Sequence, residues 1–142
     1  MQIMIVKEAS PWVLEGLNAL LPQLSGQARP LSAHALEQIM ASECTTLVAA
    51  VENHRLMACL TLVLFQIPTG KRARIEDVVV DAAARGRGIG GQMLRYAISL
   101  AERQGAKGVD LTSNPARGPA NRLYEKLGFV RRSTNTYRFI IA

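Results

Sequence analysis

Cysteine is scarce in this 142-residue chain, with only Cys44 and Cys59. Neither their number nor their spacing builds a disulfide framework or a metal site, so a reducing, cytoplasmic compartment is the expectation. Histidine is equally rare. His34 falls on a predicted helix and His54 in a predicted turn, which suggests neither a metal nor a catalytic base. The chain has three Phe, three Tyr and one Trp. These aromatics do not interleave with the basic residues as a base-stacking platform requires, so no nucleic-acid partner is expected. No apolar run is long enough to span a bilayer. The N-terminal Met1–Lys7 lacks a basic leader region and a cleavage site, and reads as a strand. No membrane role is therefore expected.

Nearly half of the residues, 49%, are apolar, and no repeat or low-complexity tract interrupts them. That composition fits one domain over residues 1–142 with a single substantial core. The balance of 17 basic against 11 acidic side chains leaves a formal charge of +6. A solvated basic surface explains part of it. The clustering of Lys71, Arg72, Arg74, Arg85 and Arg87 is better explained by an anionic ligand.

Element order follows from hydrophobic spacing and from helix and turn signals. A first strand is predicted over 2–7. Ser10-Pro11 supplies an N-cap and a first-turn proline for a helix that buries Val13, Leu17 and Leu20 and stops before Pro22. A loop over 22–31 leads to a second helix, from Ser32 to about Glu43. Residues 46–51 and 56–67 form a hairpin across Glu52–Arg55. A turn at Pro68–Lys71 leads into a third strand over 74–81. A helix from near Gly88 to Gly105 buries Ile89, Met93, Leu94, Ala97, Leu100 and Ala101. A short strand over 109–113 and a helix from Pro119 to Gly128 follow, and 129–132 with 136–141 are predicted to close the sheet as an antiparallel pair. The fold class is α+β, with a mixed, mostly antiparallel sheet and about four helices.

Between the third strand and its helix lies Arg85-Gly86-Arg87-Gly88-Ile89-Gly90-Gly91. Such a run gathers unpaired backbone N–H groups at the positive end of a helix, beside two guanidinium groups, which is chemistry for a phosphate or pyrophosphate. Gly86, Gly88 and Gly91 also satisfy the dinucleotide-binding pattern. The preceding strand follows hairpins, however, and too little chain remains after Ser113 to complete that fold. A Walker loop fails because Gln92-Met93 stands where Lys-Ser/Thr is required.

The flanks favour a third reading. Ile75–Asp81, then Arg85-Gly86-Arg87-Gly88-Ile89-Gly90, then Leu123-Tyr124-Glu125-Lys126-Leu127-Gly128-Phe129, resemble the GNAT superfamily of N-acetyltransferases. Arg85, Gly88 and Gly90 meet its main signature, and the block around Tyr124 follows about thirty-five residues later. The predicted element order matches that family over nearly the whole chain.

The resemblance implies acetyl-CoA as acyl donor. Its pyrophosphate would rest on loop amides, implicating Arg85, Arg87, Gly88, Ile89, Gly90 and Gly91. Its pantetheine arm would pair with the strand backbone at Val78 and Val80. Asn114 and Asn121 are further candidates for that arm. Relatives often carry an asparagine where this chain has Arg117, and that departure leaves the contact to Asn121 or Arg117. Tyr124 matches the family's tyrosine near the thioester sulfur and would protonate the leaving thiolate. Glu76 and Asp77 are candidates for the base that deprotonates the incoming amine. Strand alternation puts Glu76 on the face of Val78 and Val80, and Glu76 is preferred. A surface pair of that carboxylate with Arg72 or Arg74 is the competing explanation. The implied activity is direct acetyl transfer to a primary amine, expected on a small molecule. The alternative is a catalytically silent CoA-binding sensor or interaction module. A homodimer is compatible with either. Trp12, Leu31 and Met40 are candidates for an acceptor pocket, and the acceptor's identity is not readable.

Overall fold

Apolar residues alternate along the central strands and recur at helical spacing between them, and the chain buries both sets. The computed structural model describes residues 1–141. Its elements are β1 (Gln2–Val6), α1 (Pro11–Leu24), α2 (Ala33–Ala41), β2 (Thr45–Glu52), β3 (Arg55–Ile67), β4 (Gly70–Val80), α3 (Ile89–Arg103), β5 (Val109–Asp110) and α4 (Gly118–Lys126), with a 3-10 turn at Ala82–Ala84. The five strands lie in sequence order, β1 to β4 antiparallel and β5 parallel to β4. The chain divides into two compact units, residues 1–112 and the segment from Ser113 onward.

Within the first unit the sheet is covered on both faces. One face carries Leu47, Ala49, Cys59 and Val79, which cluster with Val13, Leu17 and Leu20 of α1 and Leu36 of α2. The alternate residues Val48, Ala50, Leu60 and Leu62 are also fully buried. The apolar side of α3 (Ile89, Met93, Leu94, Ala97, Ala101), which packs on β1 to β4, covers that second face. The β2–β3 hairpin turns at Asn53 and His54, both at positive φ (51° and 60°), the conformation that matches strand twist in a two-residue turn. His54 stacks on Trp12 with ring centroids 4.4 Å apart, joining this turn to the start of α1.

Helix ends follow local capping. Ser32 caps α2, its Oγ accepting the Ala35 N–H at 3.0 Å. Ser10 occupies the N-cap position of α1 with Pro11 behind it, but makes no side-chain cap bond. Contrary to expectation, α1 does not stop before Pro22 but runs to Leu24. A proline in a last turn forfeits one backbone bond while keeping helical φ, and Leu24 packs on the core beyond it. The loop that follows is pinned from α1: Asn18 Oδ1 accepts the Leu31 N–H at 2.7 Å and Asn18 Nδ2 donates to the Leu31 carbonyl at 3.0 Å. Helix α2 ends at Ala41, two residues short of Glu43, where Ser42 turns the chain and its Oγ lies 3.1 Å from Thr45 Oγ1. Leu100, expected in the core, is only half-buried.

In the second unit, α4 ends at a glycine in the left-handed region, Gly128 at φ 103°. The Gly128 N–H donates to the Glu125 carbonyl and the Phe129 N–H to the Tyr124 carbonyl, at 3.1 and 3.0 Å. That crossed pair is a Schellman cap. The rings of Tyr124 and Phe129 meet edge-on above it, centroids 5.9 Å apart.

Two strand expectations are corrected. β5 is two residues long instead of spanning 109–113. The closing pair over 129–132 and 136–141 is not formed: residues 129–141 hold no regular element, and Val130, Tyr137, Phe139, Ile140 and Ile141 are exposed. β-branched and aromatic residues record suitability for a pleated surface, but a strand also needs a partner backbone to hydrogen-bond. No helix among the described residues is long and apolar enough to cross a membrane.

Candidate functional site

β4 is interrupted where the chemistry was expected. Thr61 pairs with Glu76, but Cys59 pairs with Val79, so two residues, Asp77 and Val78, lie opposite Leu60 alone. The extra residue is a β-bulge. Asp77 absorbs it at φ 53°, a region that short polar side chains tolerate better than most. The bulge reverses facing along the strand, which corrects the alternation argument. Glu76 shares a face with Val79, the face of α1 and α2, through their neighbours Thr61 and Cys59. Val80, opposite Ala58, falls on the other face.

On its second edge β4 pairs with β5 only at Ala73 and Arg74. Beyond Arg74 that edge carries no strand among the described residues. The backbone from Ile75 to Val80, with Val78 and Val80 half-buried, is thus free of a ladder on one side. This is a geometry in which a peptide-like arm can pair with the strand.

The glycine run opens α3 as expected. Gly88 is the N-cap at φ 75° and Gly86 lies at φ 84°. A Cβ built on either would meet nothing within 4 Å, so conformation and not crowding requires glycine there. The Gln92 N–H makes the first bond of the helix, to the Gly88 carbonyl. The amides of Ile89, Gly90 and Gly91 therefore precede the ladder and lie at the positive end of a 15-residue helix. These donors fit an anion such as a pyrophosphate.

The arginines beside the loop are engaged. Arg87 Nη2 donates to Glu52 Oε2 at 2.7 Å, and that guanidinium holds the Glu52 carboxyl below the usual range. Arg85 Nε donates to the Val80 carbonyl at 3.4 Å. Arg74 Nε and Nη2 both donate to Glu76 Oε1, at 3.1 and 3.0 Å. The surface pair weighed against catalysis for Glu76 is therefore present, with the carboxylate still 45% exposed.

Several residues at this loop were not foreseen. Asp81 Oδ1 accepts the Ala83 N–H at 3.1 Å, and its Oδ2 accepts from Arg55 Nη2 at 3.0 Å. Gln23, in the last turn of α1, accepts the Ala82 N–H at 2.8 Å and reaches Asp81 Oδ1 at 3.5 Å. The Ala83 N–H foremost, then Gln23 and Arg55, hold the Asp81 carboxyl below its ordinary value. The only available sequence signal was an aspartate preceding Ala82-Ala83-Ala84, a cap without its partners.

Cys59 lies beneath the bulge. Burial first, and the Asp77 carboxylate second, push its thiol up to about 12. It stays protonated and inert near neutral pH.

In the second unit, Tyr124 is the one buried side chain of α4, and burial raises its phenol above the ordinary value against a smaller opposing pull from Arg117. Asn114 and Asn121 come together in the turn before α4. Asn114 Oδ1 accepts the Ala116 N–H at 2.9 Å, and Asn121 Nδ2 donates to the Asn114 carbonyl at 3.0 Å.

An edge of β4 left without a ladder past Arg74 and a glycine-lined helix start just after it are the features the comparisons with known proteins bear on. The acetyltransferase (GNAT) family model matches residues 15–129, and the chain belongs to that family. Glucosamine 6-phosphate N-acetyltransferase 1 of Oryza sativa subsp. japonica is 33% identical over 131 residues, 85% of this chain and 77% of that protein. A probable glucosamine 6-phosphate N-acetyltransferase 2 of the same organism is 43% identical over 63 residues, 44% of this chain and 36% of that protein's length. A putative acetyltransferase from Agrobacterium tumefaciens superposes with a TM-score of 0.89 at 26% identity, covering 99% of this chain and all of the other.

Proposed function

We propose that residues 1–142 form one catalytic domain that transfers an acetyl group from acetyl-CoA directly to a primary amine of a small molecule, in a reducing cytoplasmic setting. The observation that carries this reading is the run of ladder-free amides at Ile89–Gly91, directly downstream of a β4 whose second edge is unpaired past Arg74. In this reading the amides of Arg87–Gly91 hold the pyrophosphate, and the backbone of Val78–Val80 aligns the pantetheine arm. Acetyl-CoA supplies the thioester that the amine attacks.

The chain's own groups move the protons. Glu76 is the base, directly or through water, and faces the side of the sheet covered by α1 and α2. Arg74 orients its carboxylate through two hydrogen bonds to Oε1. A strand N–H beside the bulge stabilises negative charge developing on the acyl oxygen, a contribution worth a few kcal/mol in acyl transfer. Tyr124 remains a neutral phenol at working pH because burial raises its pKa, which suits a proton donor to the leaving thiolate. Direct transfer is preferred over a cysteinyl intermediate because Cys59, the thiol nearest β4, stays protonated.

Acceptor choice belongs to α1, α2 and the loop pinned by Asn18, where Trp12, Leu31 and Met40 are half-buried against the core. Glucosamine 6-phosphate is the first acceptor to test, because two rice relatives carry it in their names. The experiment is CoA-thiol release from acetyl-CoA across an amine panel headed by that compound. Turnover on a small amine supports the reading. Binding of CoA with no turnover on any amine favours the sensor module instead.

A further inference from the structure

The anion-binding loop has little to hold it in shape. Arg85, Gly86, Arg87 and Gly88 are exposed, and the buried residues that anchor them are Ala84 before and Ile89 after. Glycine-rich backbone loses more conformational entropy than other sequences when it orders. A loop left to itself would therefore lose part of its binding energy in ordering around a ligand.

Two side chains reach it from elements distant in sequence. Gln23 bonds the Ala82 N–H from the end of α1, and Arg55 bonds Asp81 from the start of β3. Asp81 stands between them, its side chain 13% exposed, and turns its other oxygen onto the Ala83 N–H. The first residues after β4 are thus tied to α1 and β3 at once. A second tie comes from the cross-strand neighbour of Arg55, Glu52, which pairs with Arg87 inside the glycine run. Gln23 reaches this position only because α1 continues past Pro22.

We propose that Gln23, Asp81 and Arg55 form a positioning brace that pre-shapes the loop at 85–91 for the pyrophosphate of the acyl donor, without touching the donor. The proposal rests on the reading of that loop as the pyrophosphate site. Gln23 contributes both a donor and an acceptor and Asp81 accepts on both oxygens, so the brace requires an amide at position 23 and a carboxylate at 81.

The test compares two acyl donors on the full chain. S-acetylpantetheine carries the same thioester as acetyl-CoA but lacks the pyrophosphate. Gln23→Ala is expected to lower kcat/KM for acetyl-CoA about fivefold, the usual weight of one such hydrogen bond. The value for S-acetylpantetheine and the KM of the amine should not move. Gln23→Glu sets two carboxylates together and should lower acetyl-CoA use at least as much. Asp81→Asn puts an amide nitrogen against either the Ala83 N–H or the Arg55 guanidinium and should lower acetyl-CoA use likewise. Equal loss with both donors, or no loss with any of these variants, overturns the brace. The loop reading has a separate signature. If the wild-type chain uses the two donors equally well, the loop holds no pyrophosphate and the brace falls with it.

Discussion

Gly16 lies in α1 where the helix presses on β3, and replacing it with alanine probes that contact. A Cβ at this position would sit 2.9 Å from Leu56 Cβ, 3.4 Å from its Cγ and 3.3 Å from its Cδ2. Carbon atoms prefer about 3.5–4.0 Å. The closest atom is the Leu56 Cβ, which is fixed to the β3 backbone, so no rotamer change relieves the overlap. The helix must lift or β3 must bend, an overpacking cost of about 1–3 kcal/mol. Alanine returns about 1 kcal/mol through helix propensity. The net expectation is a loss of about 1 kcal/mol, or roughly 3 °C in Tm for a chain of this size. Urea unfolding followed by circular dichroism measures it. Leu56→Ala keeps the closest atom, the Cβ, and removes only the milder contacts of Cγ and Cδ2, so the double variant should recover only a small part of the strain. Stabilisation by Gly16→Ala would refute the close approach of α1 to β3, and with it the placement of Gln23.

The loop conformation makes a second prediction. Gly88 sits at φ 75° with open space around its missing Cβ, so Gly88→Ala should cost about 1–2 kcal/mol from backbone conformation alone, and Gly88→Asn clearly less; thermal melts rank the three. Cys44 is exposed and Cys59 is buried with its thiol near 12, so a thiol reagent at pH 8 should label Cys44 quickly and Cys59 only on unfolding; mass mapping reads the difference. The raised Tyr124 phenol implies a stabilising contribution that is fully present below the ordinary value of 10 and lost as pH climbs through the higher folded value. Tyrosinate absorbance should show a step above pH 10 that Tyr124→Phe removes. The same substitution should lower kcat and leave the acetyl-CoA KM in place. For Asp81 the sign is opposite: its depressed pKa stabilises the loop above the ordinary carboxylate range, and that contribution is lost only as pH falls below it.

The parts of this molecule that were readable from the chain are those that local chemistry decides. Ser32 and Gly128 marked helix ends because capping needs only neighbouring residues. The glycine run was legible as a tight strand-to-helix turn because glycine density and a following amphipathic pattern agree, and Gly86 and Gly88 do take positive φ there. Long-range pairing was not legible. The bulge at Asp77 depends on how Leu60 meets β4, and nothing in Glu76-Asp77-Val78 announces it, so the facing of Glu76 was inverted. Pro22 looked like a helix stop because the burial of Leu24 beyond it was invisible. Gln23, Arg55 and Asp81 are far apart in the chain and ordinary in type, and only folding joins them. The closing strands failed for a related reason: Tyr137 to Ile141 carry strand propensity, and propensity names no partner.

The most direct test of the central claim is a titration of the ¹⁵N-labelled chain with CoA, read by backbone amide chemical shifts. The account predicts the largest changes at Arg87–Gly91, with a second set at Val78–Val80. Saturable binding that leaves those amides unmoved, or no binding at all, would contradict it.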